Sequence, residues 1–325
     1  MTSLAIIGAG LSGITLARQL CEAVDVTVFE KSRGLGGRMA TRRSESYQFD
    51  HGAQFFTARS DEFQQFLKSL IANNVVSLWE PKVINLNGNR RRFKREWYEP
   101  HYIAVPGMNA LCKSLACGLD IRLQHEVLSI SRDRQGWLLT DASNELHGPF
   151  DWVVSATPAP QAVALLPTCF TELAAVRSVS FLPCFSLMLG FEAQPSLHFG
   201  GAVVRNSPIG WIAVNSSKIE RTSDFAMVVH SDNDWARQHI DMDSEAVADQ
   251  LLAALQALLG DSLPPPRYQA LQRWLYAKVE TSAGIDFLLD ADNHLAACGD
   301  WCRGDRVEDA FLSGYRLAKQ LRELL

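Results

Sequence analysis

A short apolar run, Leu4 to Ile7, leads the chain into Gly8-Ala9-Gly10-Leu11-Ser12-Gly13, and an acid, Glu30, closes the next apolar run. Glycines at this spacing, between an extended segment and a helical pattern, predict a strand, a tight turn, a helix and a second parallel strand. Gly8 permits the turn, Gly10 lets the backbone approach a pyrophosphate, and Gly13 lets the helix lie close on the strand. The helix is expected over 11–23, with Ile14, Ala17 and Cys21 on one face. Its N-terminal N–H groups face any bound anion. Asp25-Val26-Thr27-Val28-Phe29 reads as a buried strand ending in Glu30, twenty positions beyond Gly10. A carboxylate there accepts the hydrogen bonds of an adenosine ribose and repels a 2′-phosphate, which favours FAD or NAD over NADP.

The residues after Glu30 distinguish the two. Lys31-Ser32-Arg33-Gly34-Leu35-Gly36-Gly37-Arg38-Met39-Ala40-Thr41 contains adjacent glycines that would bring the backbone close to a ligand. Arg38 on such a turn suits pairing with a pyrophosphate or lying along a flavin ring.

Here the chain resembles the amine-oxidase-like flavoproteins, and within them the renalase-like branch. That branch carries a Gly-Gly-Arg-Met turn, matched by Gly36 to Met39, and then an element similar to Asp50-His51-Gly52-Ala53-Gln54. Trp152-Val153-Val154-Ser155-Ala156-Thr157-Pro158 resembles the family strand that ends beside the cofactor. Ala297-Cys298-Gly299-Asp300 and Val307-Glu308-Asp309-Ala310-Phe311-Leu312-Ser313-Gly314 resemble its C-terminal element. Gly210 to Asn215 and Val228 to His230 match more weakly.

The C-terminal element is also legible without the resemblance. Val307, Ala310, Phe311, Gly314, Ala318, Leu321 and Leu325 recur at helical spacing, which predicts an amphipathic helix from about Arg306 with an acidic first turn. Its N-terminus offers a positive dipole end to an anion. The resemblance implies that this helix points at the flavin pyrimidine ring and that Asp300 contacts the cofactor. Together these readings assign FAD to Gly8, Ala9, Gly10, Leu11, Ser12, Gly13, Glu30, Lys31, Gly36, Gly37, Arg38, Met39, Gly52, Ala53, Gln54, Val127, Ala156, Thr157, Asp300, Val307, Asp309 and Ala310.

A chain of 325 residues with 47% apolar content can bury two lobes. The start has no basic n-region and no apolar run reaches a bilayer span, so a cytoplasmic protein without a membrane segment is expected. Seven cysteines show no zinc-like pairing and read as reduced, mostly buried thiols, and no metal ligands are assigned. A net charge of −5 argues against a nucleic-acid partner. The basic run at 90–95 reads either as a solvated hairpin tip or as a patch that steers a phosphate-bearing substrate.

The expected fold is α/β. A Rossmann-like FAD-binding domain (1–74, 106–164 and 271–325) is interleaved with an α+β substrate domain (75–105 and 165–270) built on a mixed or antiparallel sheet. Strands are expected at 184–191, 201–205, 210–214 and 225–230. A helix over 244–259 is seeded by Ser244 and Glu245 and ended by Gly260.

A flavin accepts hydride without a protein nucleophile or metal. Gln54, Tyr98, Trp211, Asn215, His230, Trp274 and Tyr276 are the candidate pocket lining, and Lys278 is a candidate for the lysine many amine oxidases place near the flavin. The resemblance implies an FAD-dependent oxidase that converts an isomeric dihydronicotinamide dinucleotide to NAD(P)⁺, using dioxygen and releasing hydrogen peroxide. An amine oxidase, an NAD-dependent dehydrogenase and a non-enzymatic flavin-binding redox sensor remain open alternatives.

Overall fold

Two large sheets organise the chain. The structure, a computed structural model, describes all residues except 45, 88–91, 95–97, 223 and 261–262. The first sheet has six strands in the order Leu288–Asp290, Leu295–Ala297, Trp152–Ser155, Ser3–Ile7, Asp25–Glu30 and Asp120–Leu123. All neighbours are parallel except the first pair. Strands Ser3–Ile7 and Trp152–Ser155 lie side by side although about 150 residues separate them. Crossovers leave in both directions at this point, so a crevice opens beyond the strand ends.

Helices Leu11–Leu20 and Val307–Leu324 pack together on one face of this sheet, burying Leu4, Ile6, Ile14, Leu16, Leu317 and Leu321. Their approach is close enough that a Cβ on Gly314 would collide with the Ser12 carbonyl oxygen. The first helix stops at Leu20, short of the expected 23, because the chain must turn within 21–24 to enter the strand at Asp25. The other face packs on a three-stranded sheet, Val127–Arg132, Trp137–Asp141 and Leu146–Phe150, with Trp137, Leu139 and Phe150 in the shared core.

The second sheet has seven strands in the order Tyr268–Thr281, Ser180–Phe191, Phe225–Ser231, Ile209–Val214, Gly201–Arg205, Val83–Asn87 and Arg92–Lys94. It is mixed, since Val83–Asn87 and Gly201–Arg205 pair in parallel and the other neighbours antiparallel. Helix Ser244–Leu259 covers it through Val247, Leu251, Leu255 and Leu258. Its bounds agree with the sequence expectation, but the cap is Asp243, whose side chain accepts from the N–H groups of Glu245 and Ala246.

Two expected boundaries differ. Tyr268–Thr281 stays paired with Ser180–Phe191 along its whole length, so the division placed at 271 falls inside a strand. The ribbon Val76–Leu78 with Tyr102–Ala104 packs with Leu11, Met39, Phe56 and Phe311, on the side of the six-stranded sheet. Val76, Trp79 and Ile103 are apolar enough to bury there, and among the described residues of 75–105 only Val83–Asn87 and Arg92–Lys94 join the larger sheet. Apart from that edge strand, the basic run at 90–95 lies outside the described residues. Among the described residues no helix is long and apolar enough to cross a membrane.

Candidate functional site

The glycine loop and the Gly36-Gly37-Arg38 turn meet at the mouth of the crevice. Gly36 donates its N–H to the Ala9 carbonyl at 3.0 Å, and Gly10 and Gly36 form an isolated parallel bridge. Gly8 takes a φ of +110°, which glycine adopts without strain. A Cβ on Gly13 would strike the Gly8 carbonyl oxygen, so this glycine serves close helix packing. Gly10 behaves differently. A Cβ there meets nothing within 4 Å, and no side chain caps the helix that starts at Leu11. The loop therefore presents bare backbone and a helix N-terminus to open space, which suits an anion.

Glu30 is buried at the end of its strand. Its two oxygens accept from Ala9 N and Ser32 N, each at 2.8 Å, so the acid is fixed against the loop. Lys31 points outward and pairs loosely with Glu126 at 3.8 Å. Val127 is buried in the core beside Phe29 and Phe150. Leu11 and Met39 are buried in the neighbouring cluster. Ala156 donates to the Ile7 carbonyl, and Thr157 bonds Ser155 through its hydroxyl and Trp301 through its carbonyl.

Arg38 Nη2 lies 2.5 Å from Asp300 Oδ1, which closes the loop between the two ends of the chain. Its guanidinium also sits 5.8 Å from the Phe181 ring centroid. Beside it, Ala53 donates to the Arg38 carbonyl, and a Cβ on Gly52 would collide with that same oxygen. The helix expected from about 306 begins at Val307, and Asp309 accepts from Arg306 N at 3.1 Å. Ala310 follows on its first turn. Sequence reasoning missed Glu308, which is 1% exposed. It accepts from Arg59 N, Ser60 N and Ser60 Oγ, tying this helix to the one over Asp61–Ala72.

Asp50 is the second missed residue. It is fully buried between two cations: Arg221 Nε and Nη2 lie 3.0 and 2.8 Å from Oδ2, and Lys218 Nζ lies at 3.1 Å. Thr41 Oγ1 and Met108 N donate to its other oxygen. These donors and cations outweigh burial and hold its carboxyl at about 2. Burial also lowers Lys218, to about 8, which disfavours its charged form. Asp50 heads the Asp50-to-Gln54 element noted in the sequence, but its partners Lys218 and Arg221, three residues apart just after the Gly210–Asn215 segment, were not linked to it.

Gln54 and Asn215 are held by this network. Gln54 Oε1 accepts from Lys218 at 3.2 Å, while its amide donates to the carbonyls of Asp50 and Gly52. Asn215 is completely buried, accepting from Asp50 N and Lys218 and donating to the Gln48 carbonyl. It therefore acts as a clamp and does not line a pocket. Gln54 Nε2 is 3.4 Å from His230 Nε2, and Trp211 stands opposite His230 in the strand register, with Phe55 at 5.7 Å from its ring. The indole of Trp274 stacks on His51 at 5.3 Å and donates to the His51 carbonyl. Tyr276 meets Phe181 edge-on at 5.7 Å.

Two expectations fail here. Tyr98 is 90% exposed and stands apart from this group. Lys278 is half exposed and lies 3.9 Å from Asp305, because its position in the strand turns it to solvent. The lysine buried in this region is Lys218. A separate surface cleft of about 490 Å3, lined by Trp79, Lys82, His198, Phe199 and Ser217 among others, contains none of the glycine-loop residues.

His51 and His230 are both held at about 4, primarily by burial; Arg42 adds to this for His51, and Lys218 for His230. Both rings are neutral at pH 7. An unfolded histidine titrates near 6.5, so as pH falls from 6.5 to 4 the unfolded chain takes up protons that the folded chain refuses, and stability drops. His51 alone accounts for a loss on the order of 3 kcal/mol across that window. Thermal melts should show Tm falling steeply between pH 6.5 and 4, with a shallower fall in His51→Gln. A wild-type profile that is flat over this range would contradict the assignment.

The comparisons with known proteins decide the family. The description of flavin containing amine oxidoreductases matches residues 84–322, and that of an NAD(P)-binding Rossmann-like domain matches residues 6–70. The chain belongs to the flavin-containing amine oxidoreductase family. As a member of this family it is an FAD-dependent oxidoreductase. Its fold is similar to a provisionally named protoporphyrinogen oxidase from Exiguobacterium sp. 255-15, with a TM-score of 0.80 at 14% identity over 99% of each chain. Two cofactor-binding redesigns of putrescine oxidase give TM-scores of 0.73 and 0.72, each at 13% identity over 99% of both chains. At these identities the likeness concerns the α/β fold with its mixed sheets.

Proposed function

We propose that this flavin-containing amine oxidoreductase is an oxidase of the renalase-like branch, acting on a dihydronicotinamide dinucleotide reduced at the wrong ring position. FAD would lie with its pyrophosphate on Gly10 and the N-terminus of helix Leu11–Leu20, its adenosine ribose at Glu30, and its ring system between Arg38, Gly52 and the start of helix Val307–Leu324. FAD bound there would supply the acceptor for a hydride from the donor carbon and the route by which two electrons and two protons reach dioxygen as hydrogen peroxide. The chain's own residues orient the donor and keep water out.

One observation carries the choice of substrate. His51 stacks on Trp274, and Asp50, the residue before it in the chain, is fully committed to buried Lys218 and Arg221. Asp50 is therefore withdrawn as a counter-ion for a protonated amine, whereas a flat, uncharged dihydronicotinamide ring needs none and can pack against aromatic side chains. With His51 and His230 neutral at pH 7, neither ring adds positive charge against a product that becomes a pyridinium cation.

The test is anaerobic mixing of purified protein with the isomeric dihydronicotinamide dinucleotides and, separately, with simple amines including putrescine, following the flavin absorbance band. Rapid bleaching by the dinucleotide isomers, and peroxide on admitting air, is the expected result. Bleaching by amines alone assigns the chain to amine oxidation. Bound flavin that no donor bleaches indicates a redox sensor.

A further inference from the structure

Outside the flavin site, four side chains from separate segments converge where the three-stranded sheet meets the edge strand Asp120–Leu123. His125, Asp141, Glu145 and His147 each offer one nitrogen or oxygen, and these atoms all lie within 4.8 Å of one another. His125 comes from the link after Asp120–Leu123, Asp141 ends the strand Trp137–Asp141, Glu145 lies in the following turn, and His147 sits in Leu146–Phe150. The Asp141 and His147 side chains are 4% and 3% exposed, while that of Glu145 is 64% exposed and leaves one side open to solvent. We propose that these four residues form a Zn²⁺ site.

The geometry supports this in three ways. His147 Nε2 and Asp141 Oδ2 are 3.0 Å apart, close to the edge of about 3.3 Å between two ligands in a tetrahedral zinc site. The two imidazole centroids are 5.6 Å apart at 67°, within range of one shared ion. The atoms that would not touch the ion are already held. His125 Nδ1 is 2.8 Å from the Leu123 carbonyl, which fixes the N–H there and leaves Nε2 with its lone pair. Asp141 Oδ1 accepts from Ser143 N and Glu145 N at 2.8 and 2.9 Å, leaving Oδ2 free to bind. Such outer hydrogen bonds orient the ligands of metal sites. Two imidazole nitrogens and two carboxylate oxygens are a donor set that Zn²⁺ accepts.

One residue must move. Arg122 Nη1 lies 3.2 Å from His147 Nδ1. Zn²⁺ takes the place of the proton between His147 Nε2 and Asp141 Oδ2, and that proton moves to Nδ1, so the ring stays neutral and no longer accepts from Arg122. Arg122 then turns to Asp120, already 3.7 Å away. The ion would brace the chain beside the ribose-binding acid, because His125 N donates to the Glu30 carbonyl and Gln124 N to that of Ser32. The site was not legible from cysteine pairing or from histidines at zinc-finger intervals, since its two histidines stand 22 positions apart, one in the link after Asp120–Leu123 and the other in strand Leu146–Phe150.

The test uses tag-free, chelator-treated full-length protein. Calorimetric titration with Zn²⁺ should show one equivalent bound, Zn²⁺ should raise the Tm, and Co²⁺ should give visible bands of a nitrogen–oxygen site. His125→Ala and Glu145→Ala change accessible side chains, so circular dichroism should match wild type, while Zn²⁺ affinity falls at least tenfold in His125→Ala. No saturable uptake by wild type overturns the proposal, as does affinity unchanged in His125→Ala. An intense near-ultraviolet Co²⁺–thiolate band would assign uptake to cysteines and equally overturn it. None of these outcomes depends on the identity of the flavin substrate.

Discussion

Gly10→Val is expected to give a folded protein that purifies without flavin. The substitution is compatible with the chain itself, because a Cβ at this position meets no protein atom within 4 Å and the backbone, at φ −73° and ψ 177°, is extended as valine prefers. What the side chain fills is the space in front of the helix N-terminus, where the proposal places the pyrophosphate. Gly52→Ala provides the contrast, since its Cβ would collide with the Arg38 carbonyl oxygen and disturb the fold itself. The measurements are the flavin absorbance per mole of purified protein and the melting curve of the colourless form. Valine at 10 with full flavin content would refute the placement of the pyrophosphate. Loss of both colour and cooperative melting would mean that Gly10 serves the fold instead.

The largest stability effect is expected at Asp50. Asp50→Asn leaves Lys218 and Arg221 buried without their counter-charge and turns an acceptor of five hydrogen bonds into a group that must donate into the same donors. Removing one partner of a buried ionic cluster typically costs about 3–5 kcal/mol. Equilibrium unfolding in urea should show that loss.

Lys218→Met is expected to be far milder. Two cations share one carboxylate, and burial already lowers the lysine to about 8, so the fold disfavours its charge. The sign also appears in the pH dependence. Between pH 8 and 10.5 the unfolded chain holds a proton that the folded Lys218 has released, so this lysine makes stability rise with pH across that window. The rise should disappear in Lys218→Met. Equal losses in the two variants would show that the cluster is held by packing and not by charge. The lysine has a positional role as well, since its ammonium holds Gln54 Oε1 and Asn215 Oδ1.

Much of the flavin lobe could be read from local sequence because its determinants are close together in the chain. Gly8, Gly10, Gly13 and Glu30 lie within 23 residues, and each answers a backbone or charge requirement that residue type expresses directly. The bounds of helix Ser244–Leu259 and the start of helix Val307–Leu324 were equally legible, since amphipathic periodicity is a local property. Tyr98 was misplaced for the opposite reason: an aromatic residue between strands carries no local mark of which way it faces, and here it faces solvent.

The sequence by itself determined the βαβ unit, the acid that closes it, the close-packing glycines and the amphipathic terminal helix. Each follows from the allowed φ and ψ of a residue or from a period of two or 3.6 along the chain. Only the tertiary structure decided that Asp50 meets Lys218 and Arg221 across 168 and 171 residues, that His51 stacks on Trp274, and that His125, Asp141 and Glu145 gather around His147. Ion pairs, ring stacks and donor clusters depend on distances through space, and strand order sets those distances: pairing Ser3–Ile7 with Trp152–Ser155, and Ser180–Phe191 with Tyr268–Thr281, brings remote segments within a few ångströms.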